Sequence, residues 1–192
     1  MRAFVAILPP PGVVDQLTTF LEPRRDALAA HGQWRWTRPE HLHLTLAFLP
    51  EMDEWREEGL EEEGLGWASR RHPLTLRLAG AGAFPDPGAA RVLWAAVKEE
   101  SEEPGLGSWA AGTRALASRV GARVDGTRFS PHVTVARAAG PPGPAGHLLQ
   151  SLDTLSTDAW TADEVTVIRS HLGQGPRGTP RYEVLHTWPV GG

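Results

Sequence analysis

The chain has 192 residues, 41% hydrophobic and 22% charged, which is enough to bury a sizeable core and is typical of a soluble globular protein. It contains no cysteine, which excludes disulfide bonds and thiolate metal sites. The formal charge of −4 argues against a protein that coats long nucleic acid. Twelve of the 23 acidic residues fall within residues 51–63 and 99–103, so the rest of the chain is mildly basic, which suits a small anionic substrate.

The first half of the chain begins with a predicted strand at residues 4–8, which are apolar and partly β-branched. Three prolines end this run before it is long enough for a signal sequence or a membrane span, so we expect a cytoplasmic protein. Residues 13–30 carry apolar side chains at helical spacing. A second strand is predicted at residues 41–49, where Pro50 closes it.

The rest of the chain is predicted to contain five strands, three helices and a Gly/Pro-rich loop. The helices are predicted at residues 53–70, 108–120 and 147–155, the strands at 74–78, 91–97, 132–137, 164–170 and 182–188, and the loop at 80–88. Each half therefore has the order strand, helix, strand, which predicts an α+β fold with antiparallel sheets. Because no long linker interrupts the chain, we expect a single domain over residues 1–192 with two similar lobes.

The strongest signal is a short pattern that occurs twice. His43-Leu44-Thr45-Leu46 and His132-Val133-Thr134-Val135 each alternate polar and apolar residues, as a strand with one buried face does. Side chains two apart share a face, so each histidine lies beside its threonine. The two histidines are separated by 89 residues, close to half of the chain. Two copies in equivalent positions are much harder to explain by chance than one.

A pair of histidines flanked by hydroxyls is suited to phosphoester chemistry. Near neutral pH one imidazole can act as a base and another as an acid. The hydroxyls of Thr45 and Thr134 can hold two oxygens of a phosphate between the strands. This arrangement needs no metal, and the sequence has none of the aspartate clusters of two-metal phosphotransfer sites.

The doubled motif resembles that of the two-histidine (2H) phosphoesterase superfamily. Its flanks, residues 2–7, 40–49, 91–94 and 129–137, resemble the bacterial and archaeal RNA 2′,3′-cyclic phosphodiesterases, first called 2′-5′ RNA ligases. The resemblance implies a bilobal α+β fold in which two antiparallel sheets face a central cleft, with the helices outside. It also implies hydrolysis of a terminal 2′,3′-cyclic phosphate, on RNA or a small nucleotide, to a 2′-phosphomonoester without a metal or other cofactor.

By position in this family pattern, His43 is expected to donate a proton to the 3′ leaving oxygen and His132 to activate water. Thr45, Thr134 and Arg137 are expected to contact the phosphate. Phe48 is a candidate for stacking on a base, although it also suits a core position. For His41 two placements are open: it shares the face of His43 and tunes the site if the strand begins that early, or it lies at the strand entrance in solvent, which is the favoured interpretation. Further candidates for phosphate contacts, among which the sequence does not choose, are Arg35, Arg38, Arg128, Arg169 and Arg181.

Two other functions stay open at this point. One is a related phosphoesterase, or a 2′-5′ RNA ligase, acting on another linkage. The other is an RNA- or nucleotide-binding module whose histidines do no chemistry. The chain also departs from the family in having Pro50 and an acidic run after the first motif, where the family often has glycine. We expect a monomer that acts on RNA ends or nucleotides and has no membrane partner.

Overall fold

The computed structural model describes residues 1–28, 32–126 and 128–191. Within these residues the chain forms nine strands and four α-helices. The strands are β1 (Ala3–Ile7), β2 (Trp34–Trp36), β3 (Leu44–Leu49), β4 (Leu74–Phe84), β5 (Val92–Glu99), β6 (His132–Ala138), β7 (Trp160–Ala162), β8 (Glu164–His171) and β9 (Arg181–Pro189). The helices are α1 (Pro11–Leu28), α2 (Glu57–Ala68), α3 (Leu106–Arg119) and α4 (Gly146–Leu152).

The described strands pair in the order β7-β4-β5-β6-β3-β1-β8-β9, with β2 on the side of β6, and their pairings are antiparallel. The predicted α+β fold with antiparallel strands is confirmed. The two predicted sheets, however, are joined into one: β3 and β6 meet at the single residue pair Leu44 and Val133. This short junction leaves two groups of strands, one ending in each motif strand.

The main hydrophobic core lies between the sheet and the helices. The core stripe of α1 is formed by Val13, Leu17 and Leu21, which recur every four residues. Strand β1 is buried on both faces: alternate residues join the main core, whereas Phe4 and Ala6 join Ile168 in a second, smaller cluster on the opposite face. This second cluster forms the apolar floor beneath the candidate site.

Two strand predictions differ from the structure. The loop predicted at residues 80–88 begins only after Phe84, because β4 continues through a register shift between Leu78 and Ala81. Gly80, with φ of 79°, supplies the left-handed conformation at this irregularity. Strand β7 was not predicted, since three residues are too few to show an alternation.

Helix α2 contains a glycine at position 64, although glycine is a poor helix former. A Cβ on Gly64 would lie 2.1 Å from the ring atoms of Trp188, which is fully buried beneath the helix. Gly66, two residues on, has only Arg70 Nη1 nearby, at 3.7 Å from such a Cβ. The first glycine is therefore required by packing, and the second is not.

We expect Gly64→Ala to lower the free energy of unfolding by about 1–3 kcal/mol, because the added methyl group must displace a buried indole. Gly66→Ala is the matched control and should raise the free energy of unfolding by about 0.5–1 kcal/mol, since alanine is the better helix former. Urea denaturation of the two variants and the parent measures both changes. Equal effects of the two substitutions would contradict the packing explanation.

Candidate active site

The two motif histidines lie at the junction of the two groups of strands. Leu44 and Val133, the one pair that joins β3 to β6, directly follow His43 and His132. The antiparallel pairing at this position brings the two copies of the motif together, and both histidines line one cavity. The first motif strand begins at Leu44 rather than His41, because Pro39 starts a 3₁₀ turn over Pro39–His41.

Each motif strand carries a β-bulge at the same place in the pattern. In β3, Val5 pairs with Ala47 and Ala6 with Thr45, so Leu46 is skipped. In β6, Leu93 pairs with Ala136 and Trp94 with Thr134, so Val135 is skipped. A bulge reverses the alternation of the residues that follow it. It therefore turns residue 48 in one strand and residue 137 in the other toward the face of the histidines.

His43 is held between aromatic rings. Its imidazole stacks on Phe4 with ring centroids 4.5 Å apart, and Tyr182 approaches edge-on at 5.7 Å. The Nδ1 atom lies 2.7 Å from the carbonyl oxygen of His41. His41 itself packs against Tyr182 at 4.4 Å, so it borders the site rather than extending into solvent as predicted. These contacts fix the orientation of the His43 ring.

His132 has the same backbone contact in a different aromatic setting. Its Nδ1 atom lies 2.6 Å from the carbonyl oxygen of Ser130, again two residues before the histidine. Phe84 meets the imidazole edge-on at 5.0 Å, and Trp94 lies at 6.1 Å. The two histidines are therefore positioned by equivalent hydrogen bonds from the two halves of the fold.

These hydrogen bonds fix which nitrogen is free to do chemistry. A carbonyl oxygen only accepts, so Nδ1–H donates in both histidines and the neutral form has its lone pair on Nε2. Burial, then the charges of Arg137 and His132, lowers the pKa of His43 to about 4. Burial, then Arg137, also lowers the pKa of His132. Both histidines are consequently neutral at pH 7 in the free protein.

A cavity of about 320 Å³ opens in front of the two histidines. Four arginines are among its described lining residues: Arg2, Arg114, Arg128 and Arg137. Asp125 is the carboxylate in this described lining. The excess of positive charge in a partly enclosed space favours an anionic ligand.

The structure brings most of the predicted residues to this cavity. His43, Thr45, Phe48, His132 and Arg137 all line it. Thr134 lies on the histidine face of β6 and is half-buried, but it is not part of the cavity lining. Phe48 is half-buried on the cavity side, with the Arg2 guanidinium 4.5 Å from its ring centre.

Sequence reasoning missed several residues of the site. Arg128 was one of five arginine candidates, and the structure selects it, whereas Arg2 and Arg114 were not singled out. Arg2 stands two residues before Phe4, on the same face of the first strand, and it begins the flank at residues 2–7 that resembles the family. Tyr182 comes from the far C-terminal strand, and no local pattern indicates its contact with His43.

Comparison with known proteins agrees with this geometry. The sequence model described as LigT like phosphoesterase matches residues 7–94 and 97–177. The chain belongs to the LigT-like phosphoesterase family. The 2H phosphoesterase resemblance noted in the sequence is thereby confirmed, and membership in a family of enzymes disfavours the non-catalytic binding module.

Relatives of this LigT-like chain carry a specific activity in their names. A protein of Archaeoglobus fulgidus named RNA 2′,3′-cyclic phosphodiesterase is 35% identical over 71% of this chain and 72% of its own length. One of Geobacillus stearothermophilus with the same name is 30% identical over 81% of this chain, which spans about half (47%) of that protein. The crystal structure of Escherichia coli LigT complexed with 3′-AMP has a TM-score of 0.71 at 27% identity, covering 98% of this chain and 97% of that one.

The described residues of this LigT-like protein contain no group of three or more histidine, aspartate or glutamate side chains arranged to hold a metal ion. In the same part of the chain, no helix has the length and apolar character needed to cross a membrane.

Proposed function

We propose that this protein hydrolyses a 2′,3′-cyclic phosphate, at an RNA end or on a nucleotide, to a 2′-phosphomonoester. The observation that carries the proposal is the meeting of two His-x-Thr strands at one residue pair, in a cavity lined by four arginines. The names of the relatives and the nucleotide bound to E. coli LigT support the same substrate class.

In the proposed reaction the phosphate lies between the two histidines. Neutral His132 accepts a proton from water through Nε2 as the water oxygen attacks phosphorus. The bond from phosphorus to the 3′ oxygen breaks, and protonated His43 gives that oxygen a proton. The 2′ bond is retained, so the product is a 2′-phosphomonoester. Thr45 and Arg137 stabilise the charge on the phosphate oxygens, with Thr134 as a further hydroxyl on the same strand face.

The low pKa of His43 in the free protein requires an explanation, because a general acid must carry its proton. A phosphate anion about 4 Å from the imidazole adds an attraction of about 4 kcal/mol at an effective dielectric constant near 20. One pKa unit corresponds to about 1.4 kcal/mol, so this attraction brings the pKa of His43 back toward neutrality. Substrate binding and protonation of His43 are therefore coupled.

The experiment that tests the function is turnover of adenosine 2′,3′-cyclic phosphate in excess EDTA, with the product identified by phosphorus NMR. We expect multiple turnovers and adenosine 2′-phosphate as the product. A 3′-phosphate product would contradict the direction of ring opening. Activity that EDTA abolishes, and that added metal restores, would contradict a mechanism based on the two histidines alone.

A further inference from the structure

A second, smaller cavity adjoins the candidate active site. It holds about 200 Å³ and is lined mainly by Leu8, His41, Ile168, Tyr182 and Val184; we call it the side pocket. His43 and Tyr182 line both cavities, so the side pocket lies next to the active site on the His43 side. None of the four arginines of the main cavity is part of its described lining.

The side pocket displays apolar surface that the fold does not need. Val184 is 58% exposed and Leu8 is 37% exposed, although Val184 lies opposite the buried Ile168 in the pairing of β9 with β8. Exposed apolar side chains gathered beside a catalytic cavity are typical of a binding surface. Glu40 is among the described lining residues and no arginine or lysine is, which disfavours a phosphate there. An uncharged, flat and largely apolar group suits these walls.

The proposed reaction fixes which part of an RNA substrate comes near the side pocket. The 3′ oxygen that receives the proton from His43 belongs to the ribose that keeps the 2′ phosphate. In-line attack places water and this ribose on opposite sides of the phosphorus, so the ribose lies on the His43 side. A chain that continues from the 5′ carbon of this ribose on the same side passes Tyr182 and the side pocket.

We infer that the side pocket binds the nucleobase of the penultimate nucleotide of an RNA end. The base would lie against Val184 and Leu8, with Tyr182 and His41 as ring surfaces, while the phosphates of the RNA stay near the arginines of the main cavity. The natural substrate is then an oligonucleotide end rather than a free mononucleotide. This inference rests on the proposed function and adds a substrate subsite to it.

The test compares two dinucleotides that end in adenosine 2′,3′-cyclic phosphate, one with adenine and one with an abasic ribose at the upstream position. Both carry the same phosphates, so the comparison isolates the upstream base. We expect the parent to hydrolyse the first with about tenfold higher kcat/KM, the effect of one stacked base. The variant Leu8→Ser/Val184→Ser should lose this preference and keep the parent's rate on the abasic substrate.

Leu65→Ser is the matched control, because Leu65 is 42% exposed on α2 and lines neither cavity as described. It should keep the full preference. A parent that hydrolyses both dinucleotides equally well overturns the side pocket assignment but leaves the proposed function intact. A preference that survives in the double variant overturns the assignment too. If neither dinucleotide nor adenosine 2′,3′-cyclic phosphate is hydrolysed, the proposed function itself fails and the inference fails with it.

Discussion

Replacing His132 or His43 by alanine should lower kcat/KM for a nucleoside 2′,3′-cyclic phosphate by about 10²- to 10⁴-fold each. The reason is that each Nε2 atom moves one proton, while each Nδ1–H is committed to a backbone carbonyl. No other described imidazole lines the main cavity to take over either task. Steady-state kinetics at pH 7 on the two variants and the parent measure the loss.

His72→Ala is the matched control, since His72 is an exposed histidine outside the described lining of both cavities. Its kcat/KM should equal that of the parent. Unfolding curves of the two motif variants are needed as well, because His43 packs on Phe4 and its loss leaves a small gap. A folded variant of either motif histidine that retains more than a tenth of the parent's activity would contradict the two-histidine mechanism.

Replacing Arg137 by glutamine should lower kcat/KM by about 10²- to 10³-fold, the usual loss when one group that stabilises transition-state charge is removed. It should also move the pH profile. Arg137 lowers the pKa of both His43 and His132, so its removal raises both pKa values. The base must be neutral to act, and kcat/KM falls as pH drops below its pKa. The acid limb of kcat/KM should therefore shift to higher pH.

Arg25→Gln makes the same change of charge on the outside of α1, and neither the rate nor the pH profile should change. Arg137→Lys keeps the charge without the planar fork, so it should recover the parent's pH profile but only part of the rate. An acid limb that stays in place in Arg137→Gln would show that this guanidinium does not act on the histidines.

The motif strands explain how much of the site the sequence predicts. Alternation and the repeated histidine identify both strands and the face of Thr45 and Thr134. The same alternation would turn Phe48 and Arg137 toward the core, because each lies an odd number of residues, five, beyond its motif histidine, His43 or His132. Only the bulges at Leu46 and Val135 bring Phe48 and Arg137 to the cavity. Nothing in the two strand sequences indicates that these two bulge residues have no partner on the neighbouring strand.

Other parts of the site depend on pairings between distant strands. Tyr182 reaches His43 because β9 joins the sheet through β8 and β1, an order that local patterns do not encode. The single-pair junction of β3 and β6 is equally invisible in the sequence. By contrast, the meeting of His43, Thr45 and His132 in one cavity was predictable, because it depends on residue types repeated at fixed spacing.

The acidic run at residues 51–63 is mostly exposed to solvent, and several of its carboxylates also form ion pairs. Glu54 pairs with Arg169 at 2.6 Å and Glu63 with Arg119 at 2.8 Å. Glu57 and Glu61, one helical turn apart, both lie 3.2 Å from His186. Several of these acids therefore connect α2 and the turn before it to β8, β9 and α3. Solvent exposure keeps each pair weak. We therefore expect these pairs to orient α2 on its neighbours more than to raise the free energy of unfolding.

The roles of the two histidines are tested most directly with a 2′,3′-cyclic phosphorothiolate whose 3′ bridging oxygen is replaced by sulfur. A thiolate leaves without a proton from the protein, because its conjugate acid is far stronger than an alcohol. We predict that His43→Ala hydrolyses this substrate within about tenfold of the parent, a rescue of most of its 10²- to 10⁴-fold loss. His132→Ala should stay impaired, since water must still be activated. Rescue of His132→Ala instead, or of neither variant, would contradict the assignment of His43 as the acid and His132 as the base.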